Sequence, residues 1–425
     1  MISKISIQNF KLHKSTEIEA TPVTIFIGPN NSGKSSIFQA LITLRGALQI
    51  NNNLLIQSYQ RNNTDYRNLY LYPQFPFIDV GEFKDVVRDS KDKIIISLKG
   101  RIQSHLKNIA EIEVGLEVHY QNNNFVYSKG LIKSSQYEFT WERGQNSGTV
   151  TPPSIQVDEF NIGISPNVFG LGFGLGYPSN TSPEKVAEIQ QFFNTLFDSP
   201  SQLIRSIHPI YSLRGFEEWA YPLPDYAAGS LDMAVLADRS IALTSILAYN
   251  RKMVNKLSEW LKEVLGVEME LDLFPPKRVT IRTKEGNTLF VNEGTGANQL
   301  PFILLPIGLM PPNETVLISE PEAHLHPKAQ SNLVSLFLKI LKKENKQFFI
   351  ETHSEHILHA FLYALARKEI TRDQLSIYYF ENVGGTSKAR CLEIDNKGRV
   401  DGGLPGFFEH SLMELSEYLD ALKSN

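Results

Sequence analysis

The stretch IFIGPNNSGKSSIFQAL, residues 25–41, sets glycines, a lysine and a serine in the order G-x-x-x-x-G-K-S, from Gly28 to Ser35. Gly28 and Gly33 let the backbone curl until its N–H groups point inward, where they can hold phosphate oxygens. Lys34 would neutralise the β- and γ-phosphates, and the Ser35 hydroxyl can ligate magnesium. The chemistry this predicts is binding of a nucleoside triphosphate, ATP with Mg2+. Its cradle is Gly28, Pro29, Asn30, Asn31, Ser32, Gly33, Lys34, Ser35 and Ser36.

Such a loop works only between a strand and a helix, and both are expected here. Residues 2–10 and 23–27 alternate or run apolar as strands do. Residues 35–49 carry Ile37, Leu41, Leu44 and Leu48 on one helical stripe, and the helix N-terminus adds partial positive charge to the loop. An Asn- and Tyr-rich stretch, 50–75, reads as a long loop. KIIISLKG, AEIEVGLEVHY, NFVYSKGLI and QYEFTWERG then alternate between polar turns, which predicts an antiparallel sheet between about 92 and 144. Residues 145–182 have no clear period, and LGFGLGYPSN within them lacks the strand-to-helix setting of a phosphate loop.

Helical patterns return at 184–197 and from Leu231 to Leu265. Short strands are expected at 267–273, 277–283 and 288–291. Helix and strand then alternate: 296–310, 314–319, 327–343, 347–351, 355–368 and 374–380. That spacing argues for a largely parallel sheet covered by helices. A last amphipathic helix is expected at 411–423. The chain divides on this reading into 1–82 and 267–425, two halves of an ATPase head, with a β-rich insertion at 83–182 and a helical subdomain at 183–266.

The opening ISIQNFKLHKSTEIE…VTIFIGPNNSGKSSIFQAL resembles ATPases related to chromosome-maintenance and RecF proteins, and more narrowly the compact ABC-type ATPases among relatives of the OLD family. GTGANQLPFIL, EPEAHLHPKAQSNL, FFIETHSEHIL and GGLPGFFEH follow in that order. This set is similar to a bacterial subfamily that ends in a Gly-Phe-Phe motif and lacks the TOPRIM nuclease domain. The resemblance covers about the first 50 residues and the last 135; the middle matches loosely, through IHPIYSLRGF. It implies an α/β P-loop NTPase of ABC-ATPase type, with an inserted antiparallel β region and a helical subdomain.

The resemblance also implies roles. Glu320 would polarise the attacking water, and His353 would hydrogen-bond the γ-phosphate and report its presence. Ser319 stands where the superfamily carries the magnesium Asp; its hydroxyl can bond a metal-bound water but supplies no charge. Glu322, two residues after Glu320, is a candidate to make up the loss. The stretch from Gly294 through Thr295, Gly296 and Asn298 occupies the slot of the ABC signature, with Thr295 or Asn298 in place of its serine. A signature serves its partner's nucleotide, so two chains would sandwich two ATP molecules, the dimer being the smallest assembly. The subfamily's relatives serve anti-phage defence beside a separate nuclease or toxin effector.

Several readings are set aside. His324 and His326, at i and i+2 with no third ligand nearby in sequence, make a poor zinc pair. Arg214 suits a structural salt bridge better than a phosphate contact. The formal net charge of -4 and pI near 6.2 supply no global field for nucleic acid, and binding through a local basic patch is left open. A single cysteine, Cys391, excludes an internal disulfide framework and fits a reducing cytoplasm. LPFILLPIGLM, the most apolar run, is too short to span a bilayer, so no membrane association is expected.

Overall fold

In the computed structural model, the structure describes residues 1–48, 74–75, 78–79, 86–89, 93–101, 111–121, 124–134, 138–143, 148–151, 154–157, 160–166, 173–179, 181–210, 215–218, 220–222, 239–274, 278–284 and 286–403. Residues 50–73 of the expected loop 50–75, Arg214, residues 231–238, the Gly-Phe-Phe motif and the expected tail helix 411–423 lie outside them, while Gln74–Phe75 form a short strand. The chain forms two compact units that interleave in sequence. One takes residues 1–20, 35–208 and 382–389; the other takes 21–34, 209–381 and 390–425.

The first unit is built on a seven-stranded sheet. Its order is Gly148–Thr151, Glu138–Arg143, Asn124–Ser134, Ile112–Gln121, Ile94–Gly100, Ile2–Phe10, His13–Glu19. Every pair in it is antiparallel. Strand Ile94–Gly100 buries every second residue, as the alternation in KIIISLKG predicts. The stretch around LGFGLGYPSN contributes strand Phe173–Gly176, paired with Phe160–Pro166, and is no phosphate loop. Helix Pro183–Arg205 runs about two turns beyond the expected end, started by Ser182, whose hydroxyl accepts the Lys185 N–H.

The second unit carries the four central strands of a six-stranded sheet, in the order Thr315–Ser319, Gln347–Glu351, Val23–Ile27, Leu375–Val383. All three pairings are parallel. The middles of these strands, VLI, FFI, IFI and IYYF, are apolar, as in a parallel sheet buried between helices. Phe348, Ile350, Ile25 and Ile377 are fully buried in one core with Leu333 and Phe337 of helix Pro327–Glu344 and Ile357 and Phe361 of helix Glu355–Ala366. Helix Arg251–Leu265 turns Met253, Leu257, Leu261 and Val264 into the same core and stops at Gly266, which adopts the left-handed conformation. Each of its leucines contributes about 1.5–3 kcal/mol by burial.

Three expectations change here. The helix expected up to Leu265 is interrupted at Asn250, whose side chain accepts the Met253 N–H and restarts the turn as helix Arg251–Leu265 after helix Arg239–Tyr249. The helix expected at 296–310 divides into Thr295–Gln299 and Pro301–Leu309, because Pro301 has no N–H to continue the ladder. The strand expected at 288–291 is instead a single 3-10 turn, Phe290–Asn292, which buries Phe290 edge-on against Phe216.

Candidate nucleotide-binding site

The parallel register brings the chemistry together. Strands Val23–Ile27, Gln347–Glu351 and Thr315–Ser319 end side by side, with Ser319 opposite Glu351 and Glu351 opposite Phe26. Each strand runs at its carboxyl end into one of the expected loops, the position where open α/β sheets collect ligands.

The loop after Val23–Ile27 holds Gly28 at φ 139°, a conformation closed to other residues. A Cβ on Gly28 would lie 2.1 Å from the Phe380 carbonyl oxygen, so the glycine also lets two strands approach. Pro29, Asn30 and Asn31 are exposed, Asn31 in the left-handed conformation, while Ser32 and Gly33 are buried. Lys34 is only 3% exposed, and its ammonium donates to the carbonyls of Gly28 (2.9 Å) and Pro29 (2.8 Å). Burial holds the ammonium below its usual pKa, opposed first by the Glu351 carboxylate and then by Glu320. The cation thus sits against the loop backbone with two carboxylates in electrostatic reach. Ser35, exposed, and Ser36, buried, continue helix Lys34–Leu48 in the first unit.

Ser319 closes its strand and Glu320 leaves it. The Glu320 N–H donates to the Glu351 carbonyl at 2.8 Å, and its backbone turns to φ 48°. A left-handed glutamate carries a local strain of about 1–3 kcal/mol that the surrounding structure must hold, which is common where a side chain is aimed for function. The turn continues through Glu322 to His324, also left-handed at φ 60°. His326 caps the next helix, its Nδ1 accepting the Lys328 N–H at 3.3 Å.

Glu322 has a job other than the metal role suggested for it. Its Oε1 accepts the His353 backbone N–H at 2.8 Å, while Oε2 is buried without a hydrogen-bond partner. Burial pushes this carboxyl above its usual range, against the lowering effect of the His353 amide. The Thr352 N–H donates to the Phe26 carbonyl at 3.1 Å. The Ser354 hydroxyl donates to Gln330 Oε1 while accepting N–H bonds from His356 and Ile357. His353 is therefore held on both flanks. Partial burial of its ring, then the Lys34 charge, hold its pKa below 6.5, with Glu320 opposing. The imidazole is neutral at neutral pH, with one N–H to donate.

The signature-like segment is fixed at its base. A Cβ on Gly296 would meet the His324 carbonyl oxygen at 2.6 Å, so helix Thr295–Gln299 packs directly on the loop that follows Glu320. Asn298 accepts the Phe216 N–H and donates to the Phe216 carbonyl at 3.0 Å, so both ends of its amide are engaged within the chain. Gly294 and Thr295 are exposed.

These residues suit the groups that the sequence implies. Gly28 leaves backbone room and Lys34 supplies positive charge for a triphosphate. The atoms expected on the metal side, the Ser35 and Ser319 hydroxyls, are oxygens, as magnesium requires. Among the described residues no group of three or more His, Cys, Asp or Glu could hold a metal by itself. Glu351, Gln330 and Ser354 were not singled out from the sequence. The available signal for Glu351 was an acid ending the otherwise apolar QFFIE.

Residues 23–359 match the family model described as an AAA domain of AbiEii-toxin type, Type IV TA system. Residues 370–417 match a second, described as a protein of unknown function, DUF3696. Among solved structures, the chain is similar to an SMC head domain from Thermotoga maritima, at 14% identity and TM-score 0.42, covering 92% of this chain and 99% of that one. It is also similar to an SmcHead bound to the C-winged helix domain of ScpA, at 15% identity and TM-score 0.45, covering 93% and 98%. A third is an Smc head domain bound to the C-terminal domain of ScpA derived from Pyrococcus furiosus, at 12% identity and TM-score 0.44, covering 98% and 99%. No curated protein matches the chain. Among the described residues no helix is long and apolar enough to cross a membrane.

Proposed function

This chain belongs to the AAA-domain family of AbiEii-toxin type, with an α/β P-loop ATPase fold of ABC type, and we propose that it binds and slowly hydrolyses ATP as a dimeric switch. ATP binding closes two chains around two nucleotides, hydrolysis reopens them, and the closed state is read by a separate effector, a nuclease or toxin, in anti-phage defence. The observation that carries the reading is the set of carboxyl strand ends presenting Lys34, Glu320 and His353 to one another, each charge felt by the next.

The chemistry follows from those groups. Lys34 neutralises the phosphate oxygens, and the loop N–H groups orient them. Glu320 takes a proton from water as its oxygen attacks the γ-phosphorus; the bond to the β–γ bridging oxygen breaks and ADP leaves. His353, neutral, donates a hydrogen bond to the γ-phosphate, so its loop registers whether that phosphate is present. Bound magnesium would neutralise charge developing on the phosphates, with Ser35 and the Ser319 side contributing oxygens. Exposed Thr295 and Gly294 would serve a partner's nucleotide, whereas Asn298 holds the segment in place.

A second reading rests on Ser319. Without a carboxylate there, turnover could be negligible and the chain a nucleotide-locked scaffold for its effector. Sedimentation of wild type and Lys34→Ala, each with and without ATP, tests the switch. The proposal expects ATP to shift wild type toward a dimer and leave Lys34→Ala unshifted. Equal behaviour of the two proteins would sink it.

A further inference from the structure

Resting on the ATP reading above, we infer that Glu351 supplies the carboxylate that steadies the magnesium of a bound nucleotide, replacing the charge that Ser319 lacks. The two residues are direct partners in a parallel ladder, and such partners project to the same face of a sheet. Glu351 lies one strand nearer the phosphate loop, between Ser319 and Phe26, a shift of about 4.8 Å across the sheet. A carboxylate displaced from its usual strand toward the loop strand therefore stays on the same side of the same phosphates. Glutamate adds one methylene of reach to that shorter span.

The setting of Glu351 is unusual for a structural residue. It is 4% exposed, at the end of a strand whose other residues are Gln347, Phe348, Phe349 and Ile350. Its face continues through Phe349 to Phe26, whose rings sit 6.2 Å apart. A buried acid among aromatics is costly unless a cation stands near it. The cation near it is Lys34, and Glu351 supports that ammonium's charge more than Glu320 does. Neither of the other acids competes for the role. Glu322 holds the His353 amide, and Glu320 is turned off its strand by its left-handed backbone. The site thus separates its two carboxylate duties, Glu320 toward water and Glu351 toward the metal.

The test is nucleotide affinity, read by a fluorescent ATP analogue with magnesium and again with EDTA. Wild type should gain about tenfold or more from magnesium. Glu351→Gln should lose most of that gain, read as the ratio of its own affinities with and without magnesium. Adding Ser319→Asp to Glu351→Gln should restore the gain, because the carboxylate returns to the neighbouring strand on the same face. Should Glu351→Gln fail to fold, Glu351→Asp carries the same prediction, a reduced gain restored by Ser319→Asp. An undiminished gain in the Glu351 variants overturns the inference, as does a loss that Ser319→Asp leaves uncorrected. Wild type that binds ATP equally well in EDTA also overturns it while leaving the ATP reading intact. Wild type that binds no nucleotide under either condition overturns the ATP reading, and the inference with it.

Discussion

Replacing Glu322 with alanine should uncouple the switch histidine from its loop. The Glu322 carboxylate accepts the His353 backbone N–H at 2.8 Å, and a hydrogen bond to a charged group contributes about 1.5–3 kcal/mol. Burial raises the pKa of this carboxyl, so part of that gain is already offset by desolvation, and the net loss for Glu322→Ala is about 1–2 kcal/mol. Glu322→Gln keeps an oxygen acceptor and removes the charge, so it should fold at least as well as alanine. The pH dependence has a definite sign. A carboxyl whose folded-state pKa lies above 4.5 binds its proton more tightly when folded. Wild type therefore loses stability as pH rises from 4.5 through that higher value, and Glu322→Gln does not. In ATP turnover, a displaced His353 would forfeit the hydrogen bond to the γ-phosphate proposed for it, a fall of about 10- to 100-fold in kcat for alanine. Glutamine should stay within about threefold of wild type on the same reasoning. The assay is steady-state phosphate release, paired with chemical denaturation at several pH values. Alanine equal to wild type in turnover, or glutamine as damaged as alanine, would refute the role given to this bond.

Other outcomes follow from single contacts. Gly28→Ala places a methyl 2.1 Å from the Phe380 carbonyl at φ 139°. It should cost about 2–5 kcal/mol, seen as an earlier denaturation midpoint and lost nucleotide binding; an unshifted midpoint would contradict the close approach of these strands. Asn298→Ala removes both amide bonds to the Phe216 backbone and should destabilise by about 1–3 kcal/mol in the same measurement. His353 is held below pKa 6.5 by partial burial and by Lys34, so the acid limb of kcat/KM that it governs should lie below pH 6.5 and vanish in His353→Gln. The same shift means that stability is lost as pH falls through 6.5, because the unfolded histidine takes up its proton first.

What could be read from the residues was local in origin. The phosphate loop is legible because Gly28, Gly33, Lys34 and Ser35 act through backbone shape over eight positions, and its strand and helix lie on either side. The parallel sheet was legible because short apolar runs, VLI, FFI and IFI, alternate with helical patterns. Glu351 was not, since its meaning comes from strand order: residues 319, 351 and 26 become neighbours only in the folded sheet. The bond from Glu322 to the His353 amide was not legible for a related reason. The left-handed turns at Glu320 and His324 aim its carboxylate at the next strand's loop, and neither turn contains a glycine to announce it. The break at Asn250 is a cap that overrides a continuous apolar stripe, and Phe290 obeys packing on Phe216 rather than strand propensity.

The central claim, that one set of strand ends binds and cleaves ATP, is tested most directly by measuring ATP binding and phosphate release together for wild type, Lys34→Ala and Glu320→Gln. The account predicts slow release by wild type, loss of both binding and release in Lys34→Ala, and retained binding without release in Glu320→Gln. Release that persists in Glu320→Gln, or binding that survives in Lys34→Ala at wild-type strength, would contradict it.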